Sequence, residues 1–291
     1  MPIQTATTGE LDHAQAILIS EMKYTAEHSA PCKNLIEKFN LPKGYKSITV
    51  PKVGQMGASD LTDGIDLLDS EEIGMSYVEL TASEVGLKVV VTDKLVRQQQ
   101  DDVFRIVGRQ MGDAMARKLD EDIIALFSGF NGGTALGGDN KDLTITAMSG
   151  IAAWARANKL SRPISFVHHP NAVAQLAKHY AAIGSTYYHG IMQGLPEEVL
   201  RNFWKLAVDG INVFEDGNIA KIAGYDSGYG CVFSKNAMCY IEALAPTVER
   251  ERDASLRGTE VVIVSDYGVF ELDDGYGAPA QYEIGALDTS T

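Results

Sequence analysis

"DDVFRIVGRQMGDAMARKLDEDIIALFSGF" runs from Asp101 to Phe130, and its reading decides the fold. Val103, Val107, Met111, Met115, Leu119, Ile123 and Phe127 put an apolar side chain at every fourth position. Asp101, Arg105, Arg109, Asp113, Arg117 and Glu121 put a charged one at the same spacing on the opposite side. Residues four apart stack on one helix face, so the stretch reads as an amphipathic α-helix. Thr92 and Asp93 are good N-cap types and Gly129 is a stop, which sets the expected helix at 92–129. About 35 residues at roughly 1.5 Å each make a rod of about 50 Å. The mean helix has about 11–12 residues, so this one is an outlier.

The row is not a coiled-coil seam. A strict period of four advances about 40° per step on a helix that turns about 100° per residue, so the stripe winds around the rod. Phe104, Ile106, Ile124 and Leu126 add apolar groups off the main row at both ends. Such a helix meets different neighbours along its length, as a beam crossing a structure would. Gly108 and Gly112 each cost about 1 kcal/mol relative to Ala in a helix interior; they point to close packing or a slight bend.

Composition narrows the class. The chain has 291 residues, 45% of them hydrophobic, which suggests about two domains with ample core. Its apolar runs fall short of a membrane span, and "MPIQTATTGELDHAQ" lacks the basic-then-apolar order of a secretory signal. Cys32, Cys231 and Cys239 are odd in number and lack CxxC spacing, so reduced thiols of an intracellular protein are expected. The formal net charge of −14 repels free duplex DNA, and "TVERERDASLRG" mixes signs rather than tracking phosphates.

Around the long helix the pattern changes several times. Residues 10–25 form a short amphipathic helix with Leu11, Ala14, Ile17, Leu18 and Met22 on one face, marginal alone and in need of a docking surface. From Tyr45 to Asp93 the period is two: "SITVPKVG" and "GMSYVELTASEVGLKVVVTD" are strands flanking the acidic "QMGASDLTDGIDLLDSEEI". This reads as a two-stranded excursion, which also asks for an external partner. "SGFNGGTALGGDNKD" reads as a flexible link. An α/β stretch follows. It holds helices at "AMSGIAAWARANK", "PNAVAQLAKHYAAIG" and "PEEVLRNFWK", a buried strand "PISFVHH", and a strand pair across Asp209-Gly210. The tail from Cys231 returns to strands: "CVFSKNAMCYIEAL", "PTVERERD", "GTEVVIVSDYGVFELDD" and "AQYEIGAL".

Catalytic, cofactor and metal signals are weak throughout, and no residue is assigned to such a role. Gly132 and Gly137 have P-loop spacing, but Gly138-Asp139 stands where Lys-Ser/Thr is needed, and an Asp repels phosphate. His168 and His169 are adjacent on a strand and face opposite sides, while His179 and His189 lack zinc-ligand spacing. Asp60, Asp63, Asp66 and Asp69, then Glu71 and Glu72, miss the two-residue rhythm of an EF-hand. Cys231 and Cys239 have no His at a recognisable spacing, and no GxSxG elbow occurs.

The order of parts resembles the major capsid proteins of tailed bacteriophages, the Hong Kong 97 fold. "VVVTDKLVRQQQDDVFRIVGRQMGDAMARKLDEDIIALFSG" looks like that family's extended-loop strand running into its spine helix. "PTVERERDASLRGTEVVIVSDYGVFELDDG" is similar to its closing strands, with the turn at Tyr267, Gly268 and Val269. The resemblance implies an α+β capsid fold divided as follows. Residues 1–43 would be an N-terminal arm and the entry to a peripheral domain, and 44–91 an extended loop over a neighbouring subunit. Residues 92–142 would be the peripheral domain with the spine helix, 143–234 an inserted axial domain, and 235–291 the peripheral domain's C-terminal strands. It implies a structural protein, not an enzyme, with no cofactor. Such a protein assembles with copies of itself as hexamers and pentamers into an icosahedral shell around double-stranded DNA.

The same resemblance puts the protein in the virion, assembled in the host cytoplasm, with scaffolding, portal and decoration proteins as candidate partners and no membrane. Many relatives begin with a scaffolding segment; this chain starts at "MPIQ", so a separate scaffold, or none, is expected. Some relatives link a loop lysine to an asparagine; Lys52 and Asn236 are present, but nothing beside them specifies such a link. An encapsulin-like nanocompartment shell shares the fold and is the first alternative. A two-domain α/β enzyme, which would need a pocket of converging polar groups, is the second.

Overall fold

The computed structural model describes residues 32–53, 75–94, 102–182 and 204–285. The expected helix at 10–25, the acidic tip between 54 and 74, and residues 196–203 of the third expected α/β helix lie outside them. A single 3-10 turn at Cys32–Asn34 leads into β1 (Glu37–Asn40), β2 (Ser47–Val53), β3 (Met75–Thr81) and β4 (Ser83–Thr92). Next come α1 (Asp102–Phe127), β5 (Leu136–Gly137), α2 (Ile145–Ala157), β6 (Ile164–His168) and α3 (Pro170–Ala182). The chain then runs through β7 (Trp204–Val208), β8 (Ile211–Glu215), β9 (Ser227–Ser234), β10 (Met238–Asp253), β11 (Gly258–Glu271) and β12 (Gly277–Glu283). No helix among the described residues is long and apolar enough to cross a membrane.

Helix α1 is the beam that the period-four row predicts, described over 26 residues. Its limits differ from 92–129. Thr92 is still strand, because it closes the β4–β11 ladder opposite Gly258, and helical backbone starts at Asp93. At the other end the helix stops at Phe127, and the Gly129 N–H bonds the Leu126 carbonyl at 3.0 Å. Met111, Met115, Leu119, Ile123 and Phe127 are buried, while Arg109, Arg117 and Glu121 are exposed. The winding of the row shows in its partners. Met111 and Met115 pack on Val248, Val261 and Ile263 of β10 and β11. One or two turns later Leu119, Ile123 and Phe127 pack with Phe214, Phe233 and Tyr240. Full burial of each such side chain contributes about 1.5–3 kcal/mol, so the beam is anchored at its middle and along its C-terminal half.

Three sheets surround it. The first has the order β1-β10-β11-β4, the second β5-β12-β9-β6-β8-β7, and the third is the β2-β3 pair. In the six-stranded sheet β6 pairs parallel with β8 and antiparallel with β9. Every residue of β6 is buried because helices cover both faces. Phe166 faces Met148, Ile151 and Leu176 of α2 and α3, whereas Val167 faces the α1 side. The β7–β8 turn holds Asp209 at φ 52° and Gly210 at φ 84°, the left-handed pair that a two-residue hairpin requires. Helix α2 is capped by the Thr144 hydroxyl, which accepts the Ala147 N–H at 3.1 Å, and α3 opens on Pro170.

Several expectations change once strand partners are known. The period-two run from Met75 to Thr92 is two strands divided at Ala82: β3 pairs with β2, and β4 pairs with β11. By pairing, the excursion read as 44–91 therefore closes at Thr81. The sequence carries a sign of the change: the inward positions are even-numbered through Val78, Leu80 and Ala82 and odd-numbered from Val85 on, a slip of one residue at the break. The excursion's base also needs no external partner. Leu80 is fully buried, and Ile48, Val50 and Val78 pack with it on Cys239 and Ile241 of β10. "CVFSKNAMCYIEAL" and "PTVERERD" regroup, because β10 runs through Pro246 with register shifts between Glu242 and Thr247. A proline cannot donate to a ladder and is tolerated at such an irregularity. Strand β12, expected with the closing strands of 235–291, pairs instead with β9 in the six-stranded sheet. Trp204 and Lys205, expected to end a helix, begin β7. The glycine-rich stretch is not a free link either, since β5 pairs with Ala280 and Gln281 of β12.

A proline at Ala116, buried at mid-helix on α1, removes a helix hydrogen bond and should cost about 3 kcal/mol or more. Loss of soluble, helical subunit in circular dichroism is the expected outcome. Gly230 lies so close to His168 that a Cβ would collide with the ring and with the Val167 carbonyl. Gly230→Ala should destabilise by about 1–3 kcal/mol, the usual cost of overpacking, with urea denaturation as the measurement.

Candidate functional site

Among the described residues, a cluster of buried ionisable groups lies where three parts of the chain meet. Asp120 projects from α1, Asp216 follows β8, and Cys32 opens the N-terminal 3-10 turn. All three are buried, and their side-chain ligand atoms lie within 4.8 Å of one another. Each carboxylate oxygen has a donor. The Cys32 N–H reaches Asp120 Oδ1 at 3.4 Å, and the Asn218 amide reaches Asp120 Oδ2 at 2.8 Å. The Asn218 N–H reaches Asp216 Oδ1 at 2.9 Å, and the Cys32 thiol donates to Asp216 Oδ2 at 3.2 Å.

Burial, then the hydrogen bond to Asp216 and its charge, push Asp120 from the ordinary carboxylate value of 3.8 up to about 8. Burial and the two carboxylates push the Cys32 thiol well up, so it stays a thiol and a donor. Thiol and carboxylate are metal-ligand types, but here every oxygen is already committed to a hydrogen bond. The set reads as a closed polar network rather than a vacant cation cage. Sequence reasoning missed it. Asp120 belongs to the row Gly112, Ala116, Asp120 and Ile124, where it is the one charge, and that is the signal that could have found it.

The residues singled out from sequence are scattered through the fold. The His168 ring lies in the core between Phe166 and Tyr282, with Nε2 3.2 Å from the Ala280 carbonyl and Nδ1 accepting the His169 N–H at 2.9 Å. Burial lowers its pKa to about 3, so it is a neutral packing group. His169 turns elsewhere: its Nδ1 accepts the Asn171 N–H at 3.2 Å at the start of α3. Cys231 and Cys239 are free, buried thiols, both pushed up first by burial, Cys239 to about 12. The Gly132 N–H, which a phosphate cradle would need, is held by the Asp274 carboxylate at 3.0 and 3.2 Å. Asp139 is engaged by the Ser227 hydroxyl at 2.9 Å. Lys52 pairs with Asp273 at 2.6 Å and ties β2 to the chain that follows β11. His189, the His179 side chain and the acidic residues 60–72 lie outside the described residues.

One open cleft of about 400 Å³ runs between α1 and the β3–β4 junction, lined by Thr81, Ser83, Lys118, Asp122, Tyr267 and Phe270 among others. Its polar groups satisfy each other. The Tyr267 hydroxyl donates to Asp122 Oδ2 at 2.9 Å, and Lys118 pairs with the same carboxylate. Burial and Asp122 push the Tyr267 phenol up, away from any role as a base near neutral pH. Nothing there pairs a nucleophile with a base.

This architecture, a winding helix spanning two sheets with a loop base docked on one of them, recurs in known proteins. A family model described as phage capsid protein matches residues 77–278, more than half of the chain. No curated protein sequence matches. Among solved structures, the capsid of the cyanophage P-SCSP1u is 17% identical with a TM-score of 0.63, over 86% of this chain and 87% of that one. The capsid of a native GTA particle is 14% identical with a TM-score of 0.69, over 88% and 90%. The SrpI encapsulin of Synechococcus elongatus PCC 7942 is 11% identical with a TM-score of 0.62, over 89% of each chain. Identities this low establish the Hong Kong 97-type fold, which phage capsids and encapsulins share. The family model separates them: the chain belongs to the phage capsid protein family, as a major capsid protein whose role is structural, in the icosahedral head shell.

Proposed function

We propose that copies of this chain close the head shell through pentamers and hexamers and enclose a double-stranded DNA genome that they do not bind by sequence. The observation that carries this reading is α1 itself, a helix whose middle packs on the four-stranded sheet and whose C-terminal half packs on the six-stranded one, inside the span of the capsid family match. It makes one rigid plate from what would otherwise be two units. In this reading the region 143–234 gathers around five- and six-fold axes, residues 92–142 and 235–291 form the peripheral domain, and the loop within 44–91 lies over a neighbour. The N-terminal 1–43 reaches toward the next copy and enters the peripheral domain. The proposal includes assembly in the host cytoplasm, with scaffolding, portal and decoration proteins as partners. The net charge of −14 supports a wall that repels rather than grips DNA. The cleft's self-paired polar groups support a chain without enzymatic activity or cofactor. The encapsulin likeness keeps a second reading open, in which the shell encloses a cargo protein. Nuclease-protected DNA in purified particles favours the phage head, and a co-purifying enzyme favours the nanocompartment.

Residues 1–28 and 57–72 lie outside the described residues, and in the sequence they read as an arm and a loop tip apart from the segments that build the core around α1. Deleting either segment should leave a folded subunit that fails to close shells. Sedimentation of full-length and deleted chains checks this: the full chain is expected in large particles, the deletions in small species. Deleted chains that assemble normally would remove the argument.

A further inference from the structure

We propose that Asp120 keeps a proton beside the Asp216 carboxylate and, with Cys32, forms a latch that holds the Cys32 turn on α1 and opens when that proton is lost. The geometry carries it. Two buried carboxylates have side-chain oxygens within 4.8 Å of each other, and their hydrogen-bond donors are the N–H and thiol of Cys32 and the N–H and amide of Asn218. None of these partners carries a positive charge. Two uncompensated carboxylates in so dry a place would repel each other strongly, and a single proton between them removes the conflict. The groups facing the pair from every packed element agree. On the N-terminal turn, Lys33 is directed away, to Glu242 at 3.6 Å and to the face of Tyr240. Beyond β6, His169 is kept below its ordinary value by partial burial, against the pull of Asp216, and is neutral near pH 7. On α1 itself, Lys118 is taken by Asp122, and Arg117 and Glu121 are exposed.

The latch joins three elements distant in sequence: the Cys32 turn, the middle of α1 and the loop after β8. Opening it exposes the site to water, where Asp120 reverts to ordinary acidity. The sign follows from the raised value of Asp120. The closed form holds an extra proton between pH about 3.8 and about 8. Latch stability is therefore complete below that window and is lost as pH rises through about 8. Inside the window the open fraction rises about tenfold per pH unit, one proton's worth. A shell tile of this kind keeps its Cys32 turn clamped on α1 in mildly acidic solution and releases it in alkali.

Cys32 reports the opening. Full-length protein is labelled with iodoacetamide between about pH 5.5 and 7.5, and the Cys32 peptide is quantified by mass spectrometry. Thiolate formation alone raises the rate about tenfold per pH unit. Latch opening adds a further factor, so the wild type should rise about a hundredfold per unit and Asp120→Asn only about tenfold. Equal slopes in the two proteins would overturn the proposal. If Asp120→Asn does not fold, the wild type alone decides by infrared spectroscopy. The carbonyl band of a protonated carboxylic acid should be present near about pH 6.5 and gone near about pH 9.5. Absence of that band, or one tightly bound zinc ion per chain in its place, would also overturn it.

Discussion

The packing of α1 against two sheets at once is the constraint on which the rest of the subunit depends. Neither sheet has a complete core without it. The four-stranded sheet presents Val248, Val261 and Ile263 to Met111 and Met115, and the six-stranded sheet presents Val167, Cys231 and Phe233 to the helix's second half. A stripe repeating every fourth residue drifts around the helix, and the drift lets one rod serve two surfaces that do not share a plane. A heptad stripe would have bound one partner along one line. The same drift explains why the rod has to be long: each anchoring patch needs about two turns of helix.

Around that beam the chain's polar groups are spent on fastening loops rather than on chemistry. The Asp274 carboxylate holds the Gly132 amide, Ser227 engages Asp139, and Lys52 meets Asp273. Asn171 donates to the Ile284 and Gly285 carbonyls after β12, at 3.0 and 2.9 Å. Among the described residues, Gly132, Asp139 and His168, which might have formed a phosphate cradle or a base, are committed to other parts of the same chain. A shell tile has this logic. Its surface loops must hold shape under load from neighbours, and its interior has no substrate to turn over.

Much of this was legible from residue order, and the failures share a cause. The period-four row identified α1 and its buried face, "PISFVHH" identified a strand covered on both sides, and Asp209-Gly210 identified a hairpin by its need for positive φ. Local patterns determined each of these. What could not be read was partnership between distant segments. Alternation over Met75 to Thr92 slips by one residue between Ala82 and Val85, which marks two strands, but nothing local names β2 and β11 as their separate partners. Glycines that read as slack in "SGFNGGTALGGDNKD" let the backbone pass tightly. Gly137 sits at φ 91°, and a Cβ there would lie 2.6 Å from the Gln281 carbonyl oxygen. The node of Cys32, Asp120 and Asp216 draws on residues up to 184 positions apart, and only Asp120 left a mark, as a charge on an otherwise apolar row.

The central claim is that this plate is built to meet copies of itself. Cryo-electron microscopy of the full-length protein, purified alone and after expression with its genomic neighbours, tests that claim most directly. Closed shells of pentamers and hexamers, with α1 lying in the wall and the β2–β3 hairpin crossing onto an adjacent subunit, are the expected result. A uniform monomer or dimer under every condition would contradict it.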